Sequence, residues 1–109
     1  MTISIIGGAE FVGTGLSNYL TKNDIKHRIY DIDIKSDKHV FAGVNDPKSL
    51  DVLSISDTLI NLAALHRDNI KPLSKYDEVN VDGANNICDC ARKFNINKII
   101  FTSSGNFKR

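Results

Sequence analysis

Two kinds of hydrophobic run alternate along the chain. Thr2-Ile3-Ser4-Ile5-Ile6 is a short, β-rich run, and it stops at Gly7-Gly8. A strand buried on both faces of a parallel sheet has this character. Beyond the glycines, Val12, Leu16, Tyr19 and Leu20 recur at i, i+4, i+7 and i+8, which predicts an amphipathic helix ending near Lys22-Asn23-Asp24. The first unit is therefore strand, turn, helix.

The alternation continues. Arg28 to Ile32 is read as the second strand, closing in Asp31-Ile32-Asp33, and His39-Val40-Phe41-Ala42 as a weaker third. Asn45-Asp46-Pro47 has the form of a helix start, a capping residue followed by proline at the first helical position, and Leu50, Leu53 and Ser54 continue it. Thr58-Leu59-Ile60-Asn61-Leu62 is the fourth strand. From Pro72 a longer helix carries Val79, Gly83, Ile87, Cys90, Ala91 and Phe94 on one face, and Lys98-Ile99-Ile100-Phe101-Thr102 is the fifth strand. Strands separated by helices predict an α/β fold, a doubly wound parallel sheet of about five strands with right-handed crossovers, occupying residues 1–109 as one domain.

Composition narrows the partners. With 109 residues and 41% hydrophobic side chains, the chain can bury about two thirds of its unfolded surface in one core. Fourteen Lys and Arg against 13 Asp and Glu, with no basic run, give no electrostatic footprint for nucleic acid or an anionic membrane. No apolar stretch reaches a membrane span and no signal sequence is recognisable, so a cytoplasmic location is expected. Cys88 and Cys90 stand two apart in a helical pattern, point to different sides, and are expected as reduced, buried or half-buried thiols. His27, His39 and His66 have no ligand partners at metal spacing and are read as surface or strand-end residues, so no metal site is expected.

The chemistry concentrates in Gly7-Gly8-Ala9-Glu10-Phe11-Val12-Gly13. A glycine-rich turn between a strand and a helix brings backbone N–H groups to a pyrophosphate at the helix N-terminus. Gly7 suits the tight turn and Gly13 suits close helix–sheet packing. Glu10 stands where the backbone should approach the pyrophosphate, and at an effective dielectric of about 20 two unit charges about 4 Å apart repel by roughly 4 kcal/mol. Either Glu10 weakens dinucleotide binding, or its side chain swings clear, or it occupies the anion site itself, since a carboxylate near a helix N-terminus is stabilised. The ribose-binding acid expected at the end of the second strand is Asp31, with Asp33 as rival, and an acid there favours NAD over NADP.

Four segments, Ile6 to Gly13, Asn61-Leu62-Ala63-Ala64, Val79-Asn80-Val81-Asp82-Gly83 and Phe101-Thr102-Ser103-Ser104, together resemble the extended short-chain dehydrogenase/reductase family, in particular the NAD-dependent epimerases and dehydratases of nucleotide sugars. The resemblance runs from residue 2 to Ser104. It implies a Rossmann-like fold, NAD as cofactor bound by Gly7, Gly8, Phe11, Val12, Gly13, Asp31, Leu62, Ala63, Ala64 and Asn80, and Ser104 as the catalytic serine that hydrogen-bonds the reacting sugar oxygen. For a full-length parent it implies a nucleotide-sugar substrate, and it allows a homodimer. His66-Arg67-Asp68-Asn69 resembles members associated with lipopolysaccharide sugar synthesis.

The chain departs from that pattern at several places. Where the family carries an Asp that contacts the adenine, this chain has Gly43, which leaves only backbone contacts. After Ser104 it reads Gly105-Asn106-Phe107-Lys108-Arg109, and no Tyr-x-x-x-Lys occurs anywhere, although the family's hydride chemistry needs both residues. The expectation is an N-terminal, NAD-binding portion that is inactive by itself, with the fifth strand as an incomplete sheet edge. The rivals are a non-catalytic dinucleotide-binding or interaction module and a degenerate remnant. Arg67, Lys71 and Lys75 are read as a solvated face.

Overall fold

A computed structural model shows the fold. It describes side chains over residues 2–9, 11–63 and 81–102, and the backbone also over 73–80. Five parallel strands, β1 (Ile3–Ile6), β2 (His27–Asp31), β3 (His39–Phe41), β4 (Thr58–Asn61) and β5 (Lys98–Phe101), lie in the order β3-β2-β1-β4-β5. β1 is central, pairing Ile5 with Ile29 on one side and with Ile60 on the other. The predicted class, strand count and order of elements hold, with strand ends moved by a residue or so.

Helix α1 (Phe11–Lys22) connects β1 to β2 and a 3₁₀ helix (Pro47–Ile55) connects β3 to β4. Helix α2 (Leu73–Phe94) connects β4 to β5. The main core gathers Ile6, Tyr30, Leu50, Leu53, Leu59, Ile87, Cys90 and Ala91, so α2 and the 3₁₀ helix share one face of the sheet. Gly83, Ile87, Cys90 and Ala91 of the predicted α2 stripe are buried, and Phe94 packs against the core.

Two local expectations are corrected. The inner side of α1 carries Gly13 and Leu20, while Val12 and Tyr19 are 63% and 62% exposed. The helix is rotated because Gly13 is its point of closest approach: a β-carbon there would collide with the backbone of Gly8. The segment after Pro47 is 3₁₀ rather than α, and Asp46 makes no side-chain cap. Leu50 and Leu53, three apart and both buried, align on a helix of three residues per turn.

Candidate functional site

The carboxyl ends of β1, β2 and β4 meet at one place, and the loops leaving them carry most of the predicted residues. Gly7 has φ +78°, and a β-carbon on it would lie 2.7 Å from the Ala63 nitrogen, so the turns after β1 and β4 touch backbone to backbone. Glycine alone combines that dihedral with that approach. Gly8 packs against Ile5 and Ile29, either of which would lie 2.9 Å from an added β-carbon. Leu62 N–H donates to the Ile6 carbonyl at 2.8 Å, closing the seam between the two loops.

The loop's own amides face inward. Gly7 N–H and Gly8 N–H both donate to the Tyr30 carbonyl, at 2.7 and 3.3 Å. Ala9 N–H donates to Asp31 Oδ2 at 2.9 Å. The donors left for an anion are those of the first turn of α1, from Phe11 onward, which have no intrahelical acceptor. Phe11 is 91% exposed at that end, with Val12 beside it. The amides of Gly7, Gly8 and Ala9 are thus engaged within the protein, and the start of α1, rather than the glycine turn itself, is where free N–H groups are offered.

Asp31 is buried and does more than mark the end of β2. Its second oxygen, Oδ1, accepts from Asp33 N–H at 3.0 Å, so one carboxylate ties the glycine loop to the turn after β2. Asp33, the rival acid, has a side chain 65% exposed and lies 3.8 Å from Lys35 Nζ. Of the two, Asp31 is the one held beside Gly7 and Ala9. After β4, Asn61 acts alike: its Oδ1 accepts from Ala63 N–H at 3.0 Å, while its carbonyl accepts from the Thr102 hydroxyl at 3.3 Å. The sequence reading assigned Asn61 no role, though an Asn at a strand end whose side chain bonds the amide two residues on is a recognisable turn-former.

Gly43 is also altered by what surrounds it. Its N–H donates to Ser49 Oγ at 2.9 Å, and its carbonyl accepts from Asp46 N–H at 3.0 Å and from the Ser49 hydroxyl at 3.1 Å. The backbone contacts expected from it are already taken. Cys88 and Cys90 are free thiols, half-buried and buried as expected. Burial and the nearby Asp51 push the Cys90 thiol above its ordinary 9.0, against a smaller opposing pull from Lys93. His27 and His39 open β2 and β3, at strand ends as expected. Glu10, Ala64, His66, Arg67, Lys71 and Ser104 lie outside the described residues, as do the side chains of Lys75 and Asn80. Among the described residues, no buried side-chain nitrogen or oxygen lacks a partner, and no helix is long and apolar enough to cross a membrane.

Residues 3–107 match the model of the NAD dependent epimerase/dehydratase family. The chain is 37% identical to the N-acetyl-alpha-D-glucosaminyl-diphospho-ditrans,octacis-undecaprenol 4-epimerase of Escherichia coli O157:H7, over 94% of this chain and 32% of that protein. The fold is similar to UDP-glucose 4-epimerase from Brucella ovis in complex with NAD, with TM-score 0.82, 21% identity, and 99% of this chain and 38% of that one covered. It is likewise similar to the ADP-L-glycero-D-manno-heptose-6-epimerase of Helicobacter pylori, with TM-score 0.79, 26% identity, and 99% and 42% covered. The chain thus spans about a third of the length of the curated relative it matches.

Proposed function

The chain belongs to the NAD-dependent epimerase/dehydratase family, and from that premise we propose that it is the dinucleotide-binding portion of a sugar epimerase or dehydratase, holding NAD across the carboxyl ends of β2, β1 and β4. The observation that carries this reading is the convergence of the Gly7 turn, the start of α1 and the Asp31 carboxylate at one point. A pyrophosphate suits the helix start, and a ribose suits the acid at the end of β2. Bound NAD supplies a hydride acceptor for oxidising a sugar hydroxyl. The chain's part is to fix the dinucleotide: Gly7 and Gly8 shape the turn, Phe11 and Val12 present the helix amides, and Leu62 and Ala63 border the rest.

Ser104 is proposed to orient the reacting sugar hydroxyl in the complete protein. No Tyr-x-x-x-Lys pair occurs in the 109 residues, so the role assigned to them is holding the dinucleotide and not moving the proton. The Escherichia coli relative is named for a sugar carried on undecaprenyl diphosphate, whereas the structurally similar epimerases from Brucella ovis and Helicobacter pylori are named for nucleotide sugars. The substrate class we assign to the complete protein is therefore a diphosphate-linked sugar, with nucleoside and polyprenol carriers to be compared directly.

Titration calorimetry tests the reading. NAD is expected to bind the chain more tightly than NADP, and Glu10→Gly to raise the NAD affinity if the carboxylate faces the pyrophosphate. No heat with millimolar NAD, for the native chain and for Glu10→Gly alike, would refute it.

A further inference from the structure

We infer that the outer edge of β5 is a docking surface for a second copy of this chain, the two β5 strands pairing antiparallel about a two-fold axis beside Ile100. The pairing joins the two sheets into one. It goes beyond the dinucleotide reading and does not depend on it. β5 closes the strand order and, among the described residues, pairs only with β4. Thr102 N–H donates to the Asn61 carbonyl at 3.4 Å, so Thr102 turns its backbone groups toward β4. Ile100 and Lys98, two and four residues back, do the same, because backbone groups alternate along a strand. The N–H and C=O groups of Ile99 and Phe101 therefore point outward from the edge.

Those groups select the register. In an antiparallel ladder, two facing residues whose backbones point at each other exchange both N–H···O bonds. Setting Ile99 against the partner's Phe101, and Phe101 against the partner's Ile99, engages every outward group, which no other register does within Lys98–Phe101. The same register keeps like charges apart, since Lys98 faces the partner's Thr102 rather than another lysine. Ile100, 51% exposed, falls opposite the partner's Ile100. On the other face of the sheet, Ile99 packs against the core, and Phe101, 46% exposed, shares its side. The partner's Phe101 thus arrives beside Ile99, where a groove of about 350 Å³, lined also by Cys88, Ala91, Arg92 and Ile96, opens at the end of α2. Ala91 and Ile96, both buried, give the ring an apolar floor. β3, at the opposite edge, spans three residues and is too short to offer the same ladder.

The experiment is sedimentation velocity of the full chain over about 10–500 μM, a range chosen because so small an interface holds weakly. The native chain is expected to pass from monomer to dimer across that range and to go no further, since a two-fold pairing uses each edge once. Ile100→Lys sets like charges opposite each other on the axis and is expected to weaken dimerisation about tenfold or more, as is Ile100→Glu. An equal mixture of the two variants is expected to recover the dimer. Because Ile100 is exposed, each variant should melt as the native monomer does in dilute solution. A native chain that stays monomeric throughout overturns the proposal and leaves the edge to a further strand of a longer protein. A dimer that Ile100→Lys leaves intact overturns it too, because that dimer uses another surface. So does a mixture that fails to recover the dimer, or a native chain that grows past two copies.

Discussion

Replacing Asp31 by alanine separates a residue that only awaits a ligand from one that also holds the fold. The carboxylate accepts Ala9 N–H at 2.9 Å and Asp33 N–H at 3.0 Å, and Ala9 is 7% exposed. Without Asp31 the Ala9 N–H loses its acceptor in a place water scarcely reaches, which costs about 1–3 kcal/mol. The Asp33 N–H belongs to an exposed residue and recovers water, so it adds little. The expected loss for Asp31→Ala is about 2 kcal/mol, and for a domain near 100 residues that lowers the melting temperature by roughly 10 °C. Asp31→Asn keeps one acceptor oxygen and is expected to lose about half as much, while Asp33→Ala should stay within about 0.5 kcal/mol of the native chain. Urea denaturation with a shared m value is the assay. An Asp31→Ala chain as stable as the Asp33→Ala control would refute the reasoning, because it would mean that the loop does not depend on this carboxylate.

Three further outcomes follow from the same structure. Gly13→Ala should destabilise by about 2 kcal/mol or more, since its β-carbon would meet the Gly8 backbone; Gly15→Ala, with nothing within 4 Å, should stabilise by about 0.5–1 kcal/mol. Thermal melts of the pair should therefore move in opposite directions. Cys90 should resist a thiol reagent at pH 8 in the folded chain and react in urea, because it is buried and donates its S–H to the Leu50 carbonyl at 3.4 Å. With the Cys90 thiol raised in the folded state, the stability it contributes is complete below its ordinary 9.0 and declines as pH rises from there through the folded value, which urea melts between pH 8 and 11 would record.

β1, β4 and β5 were legible because each has a short apolar centre bounded by glycine, polar or charged residues, and parallel pairing follows once helices separate the strands. The buried side of α1 was not, because Gly13 adds nothing to a hydrophobic pattern although it is the helix's contact with Gly8. For Leu50 and Leu53, spacing by three fits both an α and a 3₁₀ helix, and the pattern could not choose between them. At the site, the residue types of Gly7, Gly13 and Asp31 were readable, but the commitments of their polar groups were not. No sequence rule announces that the Gly7 and Gly8 amides bond the Tyr30 carbonyl, or that Ser49 takes both backbone groups of Gly43. Such commitments depend on segments that meet only after the sheet forms.

The central position of β1 sets a timetable for synthesis. β1 emerges first from the ribosome and pairs on one side with β2, but the partner of its other edge arrives much later: Thr2 bonds Asp57, 55 residues away, where β4 begins. At about 5–20 residues per second that interval lasts roughly 3–11 s. Throughout it, a nascent chain carries the apolar strand Ile3–Ile6 with one edge open to chaperones or to a neighbouring polysome product. Emergence of Leu59, which is fully buried and lies among the core residues Ile6 and Ile87 cluster with, brings that exposure to an end.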